Sequence, residues 1–550
     1  MTASASEQTA AAAPPGSAFT PPHPGSPQMP RWDGGELPPA PVFKSRNWAM
    51  LIGPGLVMGA SAIGGGEWLT GPTITAQFGG SLLWLCTLSI LGQAIYNVEI
   101  SRYALYSGEP IFTGKFRTLP GPMFWVFVYL LLDIGSILPY LASNAAVPAA
   151  AIILGRLPDT THDAFLLKAL ACAVFLSVFI PLSVGGKVYN SMKAVMTFKL
   201  VVVVGFLLFL GVFYSTADTW REIFSGFVKF GNVPVLAENG GANVDNVFSA
   251  LWQGRSLAFD LSIVGFLASM AAISGNGGLT NTPMSNYTRD QGWGMGAHVG
   301  AIPSIVGGHA IELSHVGMVF PINADSLPRW RGWLWHVMRE QWCLWVPACF
   351  LGIALPSMLS VQFLPRGTKL EDKWLAAGMT ADGVSTAVGE SVASWGPMLS
   401  FVGPLFWYLT LFCGLLVLGT SMASTADGVL RRWVDVFWTA LPWLRKWDTR
   451  HIGRLYFGVL CIYLLFGLIM LTLVPGDKLL TLATGILYNY ALGFSCFHVL
   501  AVNLILLPKE IRPGWFQRIG LVLGGVYFSV MAVISSTQEV PKLIKMIQGM

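Results

Sequence analysis

Apolar residues run in long blocks, separated by short polar or glycine- and proline-bearing connections, over nearly all of residues 48–536. Several blocks exceed the ~20 residues that a bilayer-crossing helix requires. The pattern predicts helices near 48–78, 81–106, 121–154, 164–185, 188–214, 256–290, 333–360, 396–430, 454–475, 478–507 and 515–536, which makes eleven spans. Two mixed-charge stretches, WREIFSGFVKFGNVPVLAENGG (220–241) and RGTKLEDKWLAAGMTADGVSTAVGE (366–390), read as external loops. A third, AHVGAIPSIVGGHAIELSHVGMVFPI (297–322), falls in an insert at 291–332 whose His and Glu content favours a cytoplasmic excursion over an extra span.

Two of the predicted helices are interrupted. The first contains MGASAIGGGEWLTGPT (58–73) and the sixth MAAISGNGGLTNTP (270–283). Each has a small-residue helix, a glycine-rich break, then Leu-Thr and a resumed helix with proline. Unwound backbone in hydrocarbon costs several kcal/mol per unsatisfied group unless it faces protein or a water-filled cavity. Glycine interruptions at corresponding positions of two halves point to an inverted-repeat transporter of five spans per repeat, with the solute held near the midplane. The expected organisation is a first repeat at 46–215, an external loop at 216–255, a second repeat at 256–508 carrying the insert, and an eleventh helix with a tail at 509–550.

Composition fits this pattern. The chain has 550 residues, 53% hydrophobic and 11% charged, with mean hydropathy +0.59. The net charge of +5 is dispersed between spans, which argues against nucleic acid as a partner. Lys115 and Arg117, Lys187 and Lys193, Arg431 to Arg454, and Lys509 to Arg518 fall in alternate connections. The positive-inside rule then places the N-terminus in the cytoplasm and the C-terminus outside the inner (plasma) membrane. Residues 1–45, rich in Pro, Ala, Ser and Gly, read as a disordered cytoplasmic tail. The seven cysteines lack the paired spacing of a zinc or redox site and read as packing residues.

Beyond these patterns, the chain resembles the Nramp family of divalent-metal transporters. Gly53-Pro54, with the break eleven residues later, resembles that family's first span, and Trp68 and Thr70 fit the same alignment. LLWLCTLSI and ISRYALYSGEP resemble its second span and the following connection, LFCGLLVLGTSMASTADGVL its eighth, and KLLTLATGILYNYALGFSCFHVL its tenth. The resemblance implies an all-α polytopic LeuT-like fold of 5+5 spans plus an eleventh helix, with discontinuous first and sixth spans. The metal site does not carry over. Where the family has Asp-Pro-Gly-Asn this chain has Gly64, Gly65, Gly66 and Glu67, and where it has Met-Pro-His this chain has Gly275, Asn276 and Gly277. Losing a carboxylate and a thioether removes the basis for selecting a soft transition metal. Tyr140 and Ser143 stand at two acidic positions of the family's third span, with Asp133 the nearby acid.

Ionisable groups inside spans need a reason to be there. Glu67, at the start of a half-helix, is the candidate for solute binding or proton coupling, its structural alternative being a pair with Arg102, Lys193 or Lys199. Glu99 with Arg102, and Asp427 with Arg431 and Arg432, read as structural or gating charges. His309, Glu312 and His315 do not share a helical face and read as solvated loop residues. Replacing bulky motif residues by glycine predicts a pocket wider than a metal cage. The candidate substrate-binding residues are Gly64, Gly65, Gly66, Glu67, Trp68, Ser274, Gly275, Asn276, Gly277, Tyr140, Asn144 and Asn489, with hydroxyls such as Ser61 and the ring of Tyr488 nearby.

A carboxylate, amides, hydroxyls and aromatic faces suit a small polar organic solute, most specifically a sugar such as a monosaccharide. The expectation is a secondary transporter working by alternating access, monomeric or weakly oligomeric, with no enzymatic activity and no cofactor, coupled to protons through Glu67 or uncoupled. The alternatives are a hard divalent cation such as magnesium, or a solute channel or sensor.

Overall fold

The computed structural model describes residues 19–42, 44, 53–64, 66–159, 161–184, 187–236, 242–303, 311–368, 373–473 and 477–548. Among these, eight helices are long and apolar enough to cross a membrane, and a ninth span counts if Trp68–Leu82 and Trp84–Ser107, bent by 94°, are joined. The chain is an all-α polytopic membrane protein, and each of the eleven expected spans has a helical counterpart.

The first span is in pieces: Pro54–Ala62, a π-helical turn at Gly66–Thr70, then Gly71–Phe78. The sixth is Val264–Ile273 followed, after nine non-helical residues, by Pro283–Asp290. Both resumed helices carry a proline in the first turn, Pro72 and Pro283, where its fixed φ suits a helix start. The other spans are Trp84–Ser107 (2), Pro122–Ile137 with Tyr140–Leu154 (3), Ala164–Ser177 with Phe179–Ser183 (4), and Val188–Tyr214 (5). They continue with Ser326–Glu340 running on to Val346–Phe363 (7), Val402–Ala440 (8), Ile452–Leu473 (9), Asp477–Leu506 (10) and Trp515–Gln548 (11).

The two expected external loops are partly ordered. The first holds a helix at Ala217–Gly226 and an antiparallel hairpin, Asn232–Leu236 with Ala242–Asn246. The second is mostly helix, Lys373–Ala393, because its small residues fit close to neighbours: Ala376 is buried with Ala76 of span 1, and Ala381 with Ala151 and Leu411.

The expectation of a disordered tail fails for 19–42. Asp33–Gly34 pairs in parallel with Met318–Val319 of the insert. Trp32 is buried against Tyr106, donates to Glu109 Oε2 at 3.0 Å and lies under the Arg117 guanidinium at 4.8 Å. The carbonyls of Pro38 and Pro41 accept from Trp333 and His336 of span 7 at 2.9 and 2.7 Å. Proline-rich composition disfavours autonomous folding, but here the rest of the protein supplies the partners. Burial alone would raise the carboxyl of Glu109; the charge and hydrogen bonds of Arg117 outweigh it and hold the group below the usual glutamate range. In the insert, Glu312 binds Thr449 and Arg450 at 2.8 and 3.0 Å, and His315 stacks on Trp438 at 4.0 Å. His315 fastens the insert to the end of span 8 and Glu312 to the turn that leads into span 9, so neither is simply solvated; His309 lies outside the described residues.

Candidate functional site

Between the two breaks lies a narrow cavity lined by Ser61, Gly64, Tyr140, Asn276, Ser421 and Tyr488, among others. Its size, about 20 Å³, gives room for one or two water molecules. Gly275 and Thr280 also line it, as does Thr425 of span 8.

The break in span 6 is held chiefly by one side chain, with Ser89 of the same span 2 helix also donating to the Ala271 and Ser274 carbonyls at 2.6 and 3.2 Å. Gln93, fully buried on span 2, donates to the Ser274 carbonyl at 2.7 Å and accepts from the Asn276 and Gly277 amides, both at 3.2 Å, and from Asn281 Nδ2 at 2.7 Å. An amide both donates and accepts, so a single glutamine meets both kinds of orphan group that unwinding creates. Trp345 of span 7 donates to Asn276 Oδ1 at 3.0 Å. Gly275 and Gly277 have φ of +102° and +70°, a backbone region that residues with a Cβ rarely adopt. A Cβ at Gly275 would sit 2.9 Å from Gln93 Oε1, and one on Gly278 would sit 2.7 Å from the Tyr488 ring. The volume that the glycines vacate is therefore filled by Gln93 and Tyr488, and the wide pocket expected from the sequence is not present.

The break in span 1 is held differently. Ser421 of span 8 lies 3.4 Å from the carbonyls of both Ser61 and Ile63, and Ser61 Oγ donates to Ser424 Oγ at 2.8 Å. Behind Ser421, the fully buried Lys199 of span 5 donates to its hydroxyl at 2.7 Å. The Gly64 carbonyl accepts from Trp68 N at 3.0 Å, starting the π turn.

Of the sequence candidates, Gly64, Gly275, Asn276 and Tyr140 line the cavity. Ser274 and Gly277 lie one shell out, on Gln93. Trp68 does not line the cavity: it is buried, and a Cβ at Gly414 of span 8 would meet its Nε1 at 2.7 Å. Asn144 donates to the Tyr140 carbonyl at 2.8 Å, and Asn489 to those of Ala268 and Gly485 at 3.0 and 3.1 Å, so both amides hold helices. Gly66 and Glu67 contribute backbone to the π turn, while Gly65 and the side chain of Glu67 lie outside the described residues. Gln93, Lys199, Thr280, Trp345, Ser421 and Thr425 were not among the sequence candidates. For Gln93 and Lys199 a signal existed: each is a long polar side chain in the middle of an otherwise apolar span.

Beyond the cavity, spans 3, 6 and 8 share a buried ionic network, to which span 9 adds the Tyr456 hydroxyl on Asp427. Arg432 binds both oxygens of Asp133, at 2.8 and 2.5 Å, and donates to the Leu279 carbonyl at 3.1 Å. Arg431 joins Asp427 at 2.7 Å and also Asp290, while Arg289 joins Asp435 at 2.6 Å. The expected Asp427–Arg431 pair is present, and Arg432 reaches across to span 3. Glu99 and Arg102 pair as their spacing implies, at 2.8 and 3.0 Å, which engages Arg102 on its own helix.

No family model matches the sequence, and no curated relative matches it. Solved structures do. The crystal structure of the Eremococcus coleocola manganese transporter with an aromatic bis-isothiourea compound aligns over 93% of this chain and 95% of its own, at 14% identity and TM-score 0.53. A mutant of that transporter aligns over 94% and 96%, at 12% identity and TM-score 0.56. The architecture is a LeuT-like inverted repeat with discontinuous first and sixth spans and an added eleventh helix.

Proposed function

We propose that this chain is a secondary transporter, distantly related to the Nramp family, that moves a small polar organic solute across the cytoplasmic membrane by alternating access, with its N-terminus in the cytoplasm. The observation that carries the reading is a cavity lined by hydroxyls, an amide and two tyrosines where both discontinuous spans unwind. Neutral donors and acceptors beside ring faces suit a polyhydroxylated molecule, and a monosaccharide is the most specific candidate. A cavity of about 20 Å³ does not admit a monosaccharide, so solute entry requires the half-helices to move apart.

A second reading has its own support. A site for one or two waters, rich in hydroxyl and carbonyl oxygen, also suits a partly hydrated magnesium ion, and the solved neighbour is a manganese transporter. A thermal-stability screen of the purified protein against monosaccharides, amino acids, nucleosides and divalent metals separates the two. A ligand of the folded state at 100 times its dissociation constant adds about 2.7 kcal/mol. Stabilisation by a sugar supports the first reading; stabilisation by magnesium alone replaces it with the second.

A further inference from the structure

Where the N-terminal strap at 19–42 meets spans 3 and 10, the wall of the protein is hollowed by a groove of about 430 Å³, a volume typical of small-molecule sites. Gly25 of the strap, Trp125 of span 3 and Phe494, Phe497, Ala501 and Ile505 of span 10 line it. The polar side chains of the lining are already paired. Thr118 Oγ1 and the Tyr129 hydroxyl bond the two ring nitrogens of His498, at 2.9 and 2.7 Å, and Trp125 Nε1 donates to the Thr118 carbonyl at 3.1 Å. Trp125 also lies over the His498 ring, with centroids 4.1 Å apart. What the groove offers a ligand is therefore apolar surface. It opens past the exposed side chains of Leu119, Phe497 and Ile505, and spans 3 and 10 are both apolar enough to cross a membrane, so its open side faces lipid.

One end of the groove is basic. Just past the end of span 10, over Lys509–Arg518, the three cations Lys509, Arg512 and Arg518 face a single carboxylate, Glu510. Arg512 Nε donates to the Leu507 carbonyl at 2.9 Å, two residues beyond the lining residue Ile505, and Arg518 Nε to the Pro513 carbonyl at 2.8 Å. Carbonyl contacts hold these guanidinium groups in place without neutralising their charge. Trp515 and Phe516, both exposed, open span 11 in the same stretch, and Trp is enriched at the level of lipid headgroups. The strap is seated on this end too: Ser26 N donates to the Arg117 carbonyl at 2.7 Å, and a Cβ at Gly25 would come within 3.3 Å of Leu506.

We propose that the groove is a phospholipid site, in which one acyl chain lies between Trp125 and span 10 and an anionic headgroup rests on Lys509 and Arg512. A chain in a hollow touches wall on more sides than one lying on a convex helix surface, which gains dispersion contacts. The basic end attracts negative headgroups. A zwitterionic lipid fits the hollow equally well but lacks the net charge, so the site selects by headgroup.

The site is separate from the cavity between the breaks, and its test needs no solute. A phosphatidylglycerol carrying a photoreactive diazirine in one acyl chain is added to the purified full-length protein in detergent, irradiated, and the adducts are located by peptide mass spectrometry. Adducts should concentrate on peptides holding 118–125 and 494–505, ahead of the exposed Ile462 and Leu465 of span 9. Unlabelled phosphatidylglycerol should displace them at lower concentration than phosphatidylcholine. Ala501→Trp, which fills the groove, should abolish these adducts and leave those on span 9. Lys509→Gln with Arg512→Gln should keep the adducts but reduce the preference for phosphatidylglycerol by about fivefold for each charge removed. If Ala501→Trp does not fold, the double variant still decides. Even labelling of all exposed apolar helices, wild-type labelling in Ala501→Trp, equal displacement by both lipids, or a preference that the double variant leaves unchanged overturns the proposal. So does the absence of adducts together with a dimeric mass, which would mean that a second copy of the chain covers the groove.

Discussion

The two breaks occupy equivalent places in the repeat and are secured by opposite means. The break in span 6 is tied by a neutral amide, Gln93, to span 2, and by Trp345 to span 7. Those bonds do not titrate, and they bind the break to neighbouring helices as one unit. The break in span 1 is tied by Ser421 and Lys199 to spans 8 and 5, through a hydroxyl and an amine. The first set of bonds has no titratable member, whereas the second combines neutral hydroxyl contacts with one amine, so a response to pH is expected at the break in span 1 alone. The difference teaches that pseudo-symmetric unwinding can yield one rigid wall and one moving wall of the same cavity.

The largest effect should come from the ionic end of the braced side. Arg432→Met leaves Asp133 as an unpaired buried charge and frees the Leu279 carbonyl, and removing one partner of such a pair costs roughly 3–5 kcal/mol. A melting temperature in detergent lowered to that extent is the expected result. Gln93→Ala should follow closely: it strips partners from the Asn276 and Gly277 amides and from Asn281, at about 1–3 kcal/mol for each buried group left unsatisfied, while the Ser274 carbonyl keeps Ser89. If Gln93→Ala melts like the wild type, the brace is not what fixes span 6. Trp345→Phe removes a single donor from Asn276 and should cost about 1 kcal/mol, read from a urea or thermal titration of the solubilised protein.

The most local effect concerns the strap at 19–42, which Glu109 and Arg117 hold through Trp32 and the Pro30 carbonyl. The folded value of Glu109 is depressed, so the stability it contributes is complete above the ordinary value of 4.5 and is lost as pH falls through the lowered folded value. Hydrogen exchange over 19–42 should therefore be slow at neutral pH and quicken only in acid. Glu109→Gln should show quick exchange already at neutral pH, with the spans unaffected.

The eleven spans and both breaks were legible because hydrophobic runs and glycine clusters are local properties of the sequence. Gly64, Gly275 and Asn276 followed from the same local signal and do line the cavity. Trp68 was misplaced because its direction depends on a gap opposite Gly414, which only tertiary packing creates. Gln93 and Lys199 were missed because their partners lie on other helices, Lys199 and Ser421 being 222 residues apart. The strap was misread for the same reason: Trp32 and Glu109 meet across 77 residues, and composition carries no record of that contact.

The most direct measurement is hydrogen exchange at the two breaks, peptides covering 61–70 and 274–282, as pH rises in lipid nanodiscs. Lys199→Arg measured beside the wild type corrects for the intrinsic pH dependence of exchange. Exchange in 61–70 should accelerate with pH in the wild type alone, while 274–282 stays equally protected in both proteins. Acceleration of both peptides together, or of 274–282 alone, would contradict the division into a moving and a braced wall.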